Sequence, residues 1–323
     1  MQPYTKPFLT IDKQIALITS RGLAVTDRAL AEDCLKNIGY YRLSGYWYPL
    51  RDSRVVTIDG VEEREILDTY RPDSNFTQVV DIYSYDKQLR LLMLDVLERI
   101  EISLRTDIAL QIGQYGPWSY RDATLFDQRF VHDIPNGRTE SQFTMFLNRF
   151  DDMVIKSKSD FVKHFKGKYS DPLPIWAAVE LWDFGMLSIF FSGMKFRDQR
   201  EIANKYGLIR PQLLPSWIRT LADTRNICAH HSRLWNRGLT SQPKPPQLGE
   251  ILVLDHLHSN SFFYERLYGA ISIARYMQSI INPKSSWAVK LIELNKTFPA
   301  APGISFDQMG YPNNWTELDL WKL

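Results

Sequence analysis

The sequence predicts an all-α protein carrying one small β-hairpin near residues 55–66. Three observations lead there. Apolar residues recur three and four positions apart through most of the chain. Those runs open on capping residues or prolines. Only one stretch, Val55-Val-Thr-Ile-Asp59-Gly60-Val-Glu-Glu-Arg-Glu-Ile66, sets Asp-Gly between two extended runs, the signature of a tight hairpin.

Taken in order, Thr10 or Asp12 opens a helix that carries Ile15, Leu17 and Ile18 and stops near Gly22. Thr26 or Asp27 caps a second helix ending near Gly39. The aromatic stretch 39–50 follows, closed by Pro49, and after the hairpin Asn75 caps a long helix to about Gly113. Pro117, Asp133, Pro135 and Gly137 mark an irregular connection. Helices are then expected around 140–157, over Ile175–Phe191 behind Pro172 and Pro174, over 195–206, and from about 214 to 237 behind Pro211 and Pro215. Residues 240–249 are the clearest linker, with helices at roughly 259–281 and 284–296 beyond it and a Pro/Gly-containing tail. The expected organisation is N-terminal helices plus hairpin (1–74), a helical core (75–239), and a linker with a C-terminal helical extension packed on that core (240–323).

The chain has 323 residues, 44% hydrophobic and 24% charged, which is enough for a sizeable core and excludes a disordered polyelectrolyte. Two cysteines, Cys34 and Cys228, cannot build a disulfide framework. With an N-terminus lacking the apolar run of a signal peptide and no window long enough to span a bilayer, they predict a reduced, cytoplasmic protein without a membrane.

Two helices carry the chemistry. On a wheel started at Leu214, Leu214, Trp217, Leu221, Cys228 and Trp235 fall within roughly 60° and form a buried stripe. Opposite them stand Arg219, Asp223, Asn226, His230, Arg233 and Arg237, within roughly 80°. Arg225 lies about 140° from His230, at the edge of the apolar stripe. Its head either turns toward a neighbouring helix or helps a site completed by another subunit. In the helix before Gly113, Leu94, Leu97, Leu104 and Ile108 share a face, with Glu101 in its middle and Arg105 one turn on, at its edge. A carboxylate in an apolar stripe needs a partner. It is either half of a buried ion pair locking the bundle or the group that orients Arg105, Arg225 or His230 in a cleft. Arg99, with Asp95 and Ser103, points to the polar side.

Arg225-Asn-Ile-Cys-Ala-His230 matches the Arg-x-x-x-x-His motif of HEPN-type ribonucleases, a spacing weak by itself. Four further blocks add to it: Tyr4-Thr-Lys-Pro-Phe-Leu-Thr-Ile-Asp-Lys-Gln14, Asn37-Ile-Gly-Tyr-Tyr-Arg-Leu-Ser-Gly-Tyr-Trp-Tyr-Pro49, Arg99-Ile-Glu-Ile-Ser-Leu-Arg105 and Met309-Gly-Tyr-Pro-Asn-Asn-Trp315. Together they resemble the Abi-like family, bacterial abortive-infection proteins of the AbiD/AbiF type within the HEPN superfamily. The resemblance implies a HEPN-like helical bundle with extra N- and C-terminal helices and a role in phage defence by cutting RNA, without a metal and as a homodimer. By matching positions, Arg225 and His230 are the expected catalytic pair and Asn226 the residue that orients one of them. The resemblance does not choose among Arg99, Glu101 and Arg105; the wheel selects Glu101 and Arg105, expected in support with Asp223, and Arg219, Arg233, Arg237 and Arg42 are expected on the RNA.

The chemistry is coherent. Cleavage by the substrate's own 2′-hydroxyl needs a proton acceptor, a proton donor for the 5′-oxygen, and cationic stabilisation of a phosphorane. Imidazoles suit the first two roles and a guanidinium fork the third. No cofactor is expected. His256 and His258 in Asp255-His-Leu-His258 read as ordinary polar surface, since no four-ligand pattern completes them; His132 and His164 have no partners in sequence. Tyr40, Tyr41, Tyr46, Trp47 and Tyr48 read first as a plug holding the N-terminal helices to the core and second as a base-stacking platform. The other function class is a non-catalytic RNA-binding scaffold, or a toxin silenced by a small RNA or a protein partner.

Near-neutrality does not argue against RNA. The formal balance of +2 combines residues 195–237, with nine Lys or Arg against three acids, and a remainder of −4. Local positive charge is what draws a polyanion.

Overall fold

The computed structural model describes residues 3–322. Its elements run α1 (Ile11–Ser20), α2 (Arg28–Asn37), α3 (Tyr40–Trp47), β1 (Arg51–Ile58), β2 (Val61–Tyr70), α4 (Phe76–Gly113), α5 (Gln128–His132), α6 (Gln142–Lys156) and α7 (Asp160–Lys168). There follow α8 (Ile175–Ala178), α9 (Phe184–Gly193), α10 (Phe196–Lys205), α11 (Leu213–Ala229), α12 (Phe262–Glu265), α13 (Leu267–Ile281) and α14 (Trp287–Lys296), with short 3-10 turns between and after them. The protein is mainly helical with one two-stranded antiparallel hairpin, as its sequence predicts.

The chain divides into two compact units. One holds the described residues up to Leu91 together with Lys290–Gln308; the other holds Leu92–Val289 and the described residues from Met309 onward. Two of the three divisions fall inside α4 and α14, and the third in the 3-10 turn Phe306–Met309.

In the first unit, local chemistry sets the boundaries. Asp27 accepts a hydrogen bond from the Leu30 amide and starts α2. Asn75 and Gln78 form a reciprocal capping box, each side-chain oxygen accepting from the other's amide at 3.0 Å, and so open the 38-residue α4. Asp59 and Gly60 both take positive φ, 51° and 80°, the left-handed pair that lets a two-residue turn match strand twist. The hairpin registers Ile58 on Val61 and runs to Arg51 and Tyr70, beyond the expected 55–66. The aromatic stretch is a helix, α3. Its Leu43, Tyr46 and Trp47 are buried, whereas Tyr41 is 91% exposed and Arg42 and Tyr48 also face outward. Tyr46 donates to Asp86 Oδ2 at 2.6 Å, and Arg90 closes a buried ion pair with the same carboxylate.

The second unit is built around Trp182, which is fully buried against the rings of Tyr120, Phe146, Phe150 and Phe190. Here the structure departs from the sequence reading in three places. The helix expected over Ile175–Phe191 is broken: after α8 and a 3-10 turn the backbone extends at Trp182, and Asp183 restarts it by accepting from the Met186 amide. The helix expected to reach 237 stops at Ala229. His231 takes φ +55°, its amide bonds the Cys228 carbonyl and the Ser232 amide bonds that of Ile227. This is a Schellman ending with histidine where glycine is usual. The helix expected at 259–281 breaks at Arg266, whose extended backbone separates α12 from α13. Helices α5 and α7 were not foreseen; α6, α10 and α14 fall within the expected ranges.

Candidate functional site

The site forms where α4, α11 and the start of α9 meet within the second unit. Glu101 projects from the apolar face of α4 and is 6% exposed. Arg105, one turn later, donates from Nη2 to Glu101 Oε1 at 2.6 Å and to the Trp182 carbonyl at 2.8 Å. Arg225 on α11 sets its Nε 3.4 Å from Glu101 Oε2. Of the two directions open to Arg225, its head has taken the one toward a neighbouring helix. Its Nη1 donates to Asn226 Oδ1 at 3.1 Å. Nη2 has no hydrogen-bond partner among the described residues and is not enclosed.

One carboxylate therefore bridges two guanidiniums. Burial pushes the Glu101 carboxyl above the usual carboxylate range; Arg225 and then Arg105 offset part of that rise, and Asp183 adds to it. Asp183, whose charge bears on Glu101, caps α9 and pairs with the exposed Arg149 of α6. Glu180 stands 3.9 Å from Arg105 Nη1. A cavity of about 310 Å³ opens on this group, lined by Leu94, Glu98, Glu101, Ile102, Arg105 and Arg225. Chemically the arrangement is an arginine pair held by a buried acid beside an open space, a shape suited to an oxyanion.

The other expected residues are placed as follows. His230 is the C-cap of α11 and is exposed, about 7.5 Å along the helix from Arg225. Asp223 is hydrogen-bonded by Ser241 Oγ, which ties the segment after the helix back onto it instead of serving Arg225. Arg219 is exposed on α11. Arg233 and Arg237 do not share its face: α11 has ended before them, and they lie on the irregular chain beyond the left-handed His231. Trp235, expected in the stripe, is buried from that same irregular segment. Arg42 belongs to α3 in the first unit. Arg99 and Asp95 are exposed, as expected.

Much of the +6 charge of residues 195–237 is matched inside the unit. Lys205 pairs with Asp107 at 2.7 Å, Arg210 with Glu250 at 2.8 Å and Arg225 with Glu101, while Arg197 lies over the Tyr115 ring. Of the two histidines expected as polar surface, His258 is exposed, whereas His256 is structural. His256 places Nδ1 3.1 Å from the Val253 carbonyl and Nε2 2.9 Å from the Tyr268 hydroxyl, and burial pushes its pKa down. Among the described residues, no group of three or more His, Cys, Asp or Glu side chains is placed to hold a metal ion.

Sequence reasoning missed Trp182, Asp183 and Glu180 as members of the site. The available signal was Asp183 ahead of an apolar run, an N-cap inside a supposed helix.

The fold is mainly helical with one hairpin, and its Arg-x-x-x-x-His string turns the arginine onto a second helix's buried acid. Residues 33–236, well over half of the chain, match the family described as Abi-like protein. The chain belongs to that family, and the family's role is abortive infection, a defence against phage. No curated protein and no solved structure matches it. No described helix is long and apolar enough to cross a membrane.

Proposed function

We propose that this protein is a metal-independent endoribonuclease of the HEPN type, acting on RNA during phage defence. The observation that carries the reading is the state of Arg225. Its guanidinium is fixed through Nε by Glu101 and through Nη1 by Asn226, and the remaining amine is left for a phosphoryl oxygen beside an open cavity. The 2′-hydroxyl of the substrate attacks the adjacent phosphorus. As the 2′-O–P bond forms and the 5′-O–P bond breaks, Arg225 neutralises the equatorial oxygens. His230, exposed at the end of the same helix, takes the 2′ proton or protonates the leaving 5′ oxygen. A homodimer would bring a second His230 and divide these two proton transfers between the copies.

Asn226 and Glu101 are positioning residues, and Arg105 adds positive charge to the cavity wall. Expression of the wild type should arrest bacterial growth, and purified protein should cut labelled RNA in EDTA. His230→Ala should remove both effects. Growth arrest that persists in His230→Ala would instead mark a sequestering RNA-binding protein.

A further inference from the structure

Residues 156–168 hold five lysines and one aspartate, a net of +4 that the −4 remainder of the chain conceals. They form the last residue of α6, a short connection and α7. Lys156, Lys158, Lys163, Lys166 and Lys168 are all exposed. Lys158 has no ion-pair partner among the described residues. Lys156 and Lys163 touch only exposed acids of their own neighbourhood, Asp152 at 3.0 Å and Asp160 at 3.6 Å, pairs that water screens almost completely.

Aromatic rings are set among the charges. Only Val162 of α7 is buried. Phe161 is 41% exposed and Tyr169 46%, and the Phe165 and Tyr169 rings meet at 4.7 Å, with Lys168 Nζ over the latter. On the helix wheel Lys168 lies within about 20° of Phe161, while Lys163 and Lys166 stand about 160° and 140° away from it, so one charge sits among the rings and two more line the other side of α7. Lysines that track a backbone beside rings that accept any base face are the composition of a single-strand track. The track also leads to the site. Lys156 stands seven residues from Arg149, on the same side of α6 and about 10.5 Å along it, and Arg149 pairs with Asp183, whose charge bears on Glu101.

We propose that residues 156–169 form a docking track for single-stranded RNA flanking the linkage that is cut. The proposal rests on the ribonuclease reading for its substrate, but its test reads binding and not cleavage. In a His230→Ala background, binding of a fluorescent 20-nucleotide oligouridine is titrated from 50 to 200 mM KCl. Lys158→Gln, Lys163→Gln and Lys168→Gln together should weaken it about tenfold at the higher salt and lower the salt slope by about 2, at about 0.7 per lost phosphate contact. The same three sites changed to arginine should keep the wild-type affinity and slope, which shows that the glutamine effect is one of charge.

Unchanged affinity and slope in the glutamine variant would overturn the proposal. So would lysine-dependent binding to phosphatidylserine vesicles with RNA binding unaffected, which would make this face a membrane contact. Lysine-dependent RNA binding by a protein that cuts no RNA supports the track and defeats the nuclease reading. Cleavage with lysine-independent binding does the reverse, and a protein that neither binds nor cuts RNA defeats both.

Discussion

Glu101→Ala should both loosen the fold and disable the site. The carboxylate is almost fully buried and is met by Arg105 at 2.6 Å and by Arg225 at 3.4 Å. Removing one member of a buried ion pair costs about 3–5 kcal/mol, because the partner charge stays behind. Here two guanidiniums stay behind, with side chains 20% and 27% exposed, so water recovers part of the loss. That leaves about 2–3 kcal/mol, or roughly 3–5 °C in melting temperature for a chain of this size. Arg225 also loses its Nε anchor, and a transition-state donor set free costs about a hundredfold in kcat. Glu101→Gln keeps an acceptor for Arg105 and should lose only about 1 kcal/mol. Melts followed by circular dichroism, with cleavage rates taken at 20 °C where every variant is folded, separate the two effects. An alanine variant within about 0.5 kcal/mol of wild type and fully active would refute the role given to Glu101.

Other outcomes follow from the same geometry. Because burial raises the Glu101 carboxyl, the unfolded chain ionises it first; from about pH 4 upward the wild type should therefore lose stability relative to Glu101→Gln until the raised folded value is passed. Denaturant titrations across pH check this, and a difference that is flat or grows in the opposite direction contradicts it. Arg225→Lys preserves charge but cannot hold Glu101, Asn226 and a phosphate together, so cleavage should fall about a hundredfold or more with little change in melting. Asn75→Ala opens the capping box of α4 and should cost about 1 kcal/mol in denaturant unfolding, with RNA cleavage unchanged.

What the sequence made legible was local. Asn75 and Gln78 announce a helix start, and Asp59-Gly60 a turn, because each acts on its own backbone within three residues. Glu101 stood out as a charge in an apolar stripe, and its need for a partner was evident before Arg225 was known to supply one. The break at Trp182 was hidden because residues 175–191 are apolar on every side, so no periodicity marks the interruption. The end of α11 was hidden because His231 adopts a left-handed turn that sequence reading assigns to glycine, and this carried Arg233 and Arg237 onto a helix face they do not share. Summing charge over segments found residues 195–237, but could not show that Asp107 and Glu250 answer part of it from elsewhere in the unit.

The central claim is that Arg225 and His230 direct the substrate's own 2′-hydroxyl onto its phosphate. The most direct measurement is the chemistry of the ends left on RNA cut in EDTA. Wild type should leave 2′,3′-cyclic phosphates and 5′-hydroxyls, and neither end should appear with Arg225→Ala or His230→Ala. Fragments bearing 3′-hydroxyls and 5′-phosphates, or identical products from either variant, would contradict the account.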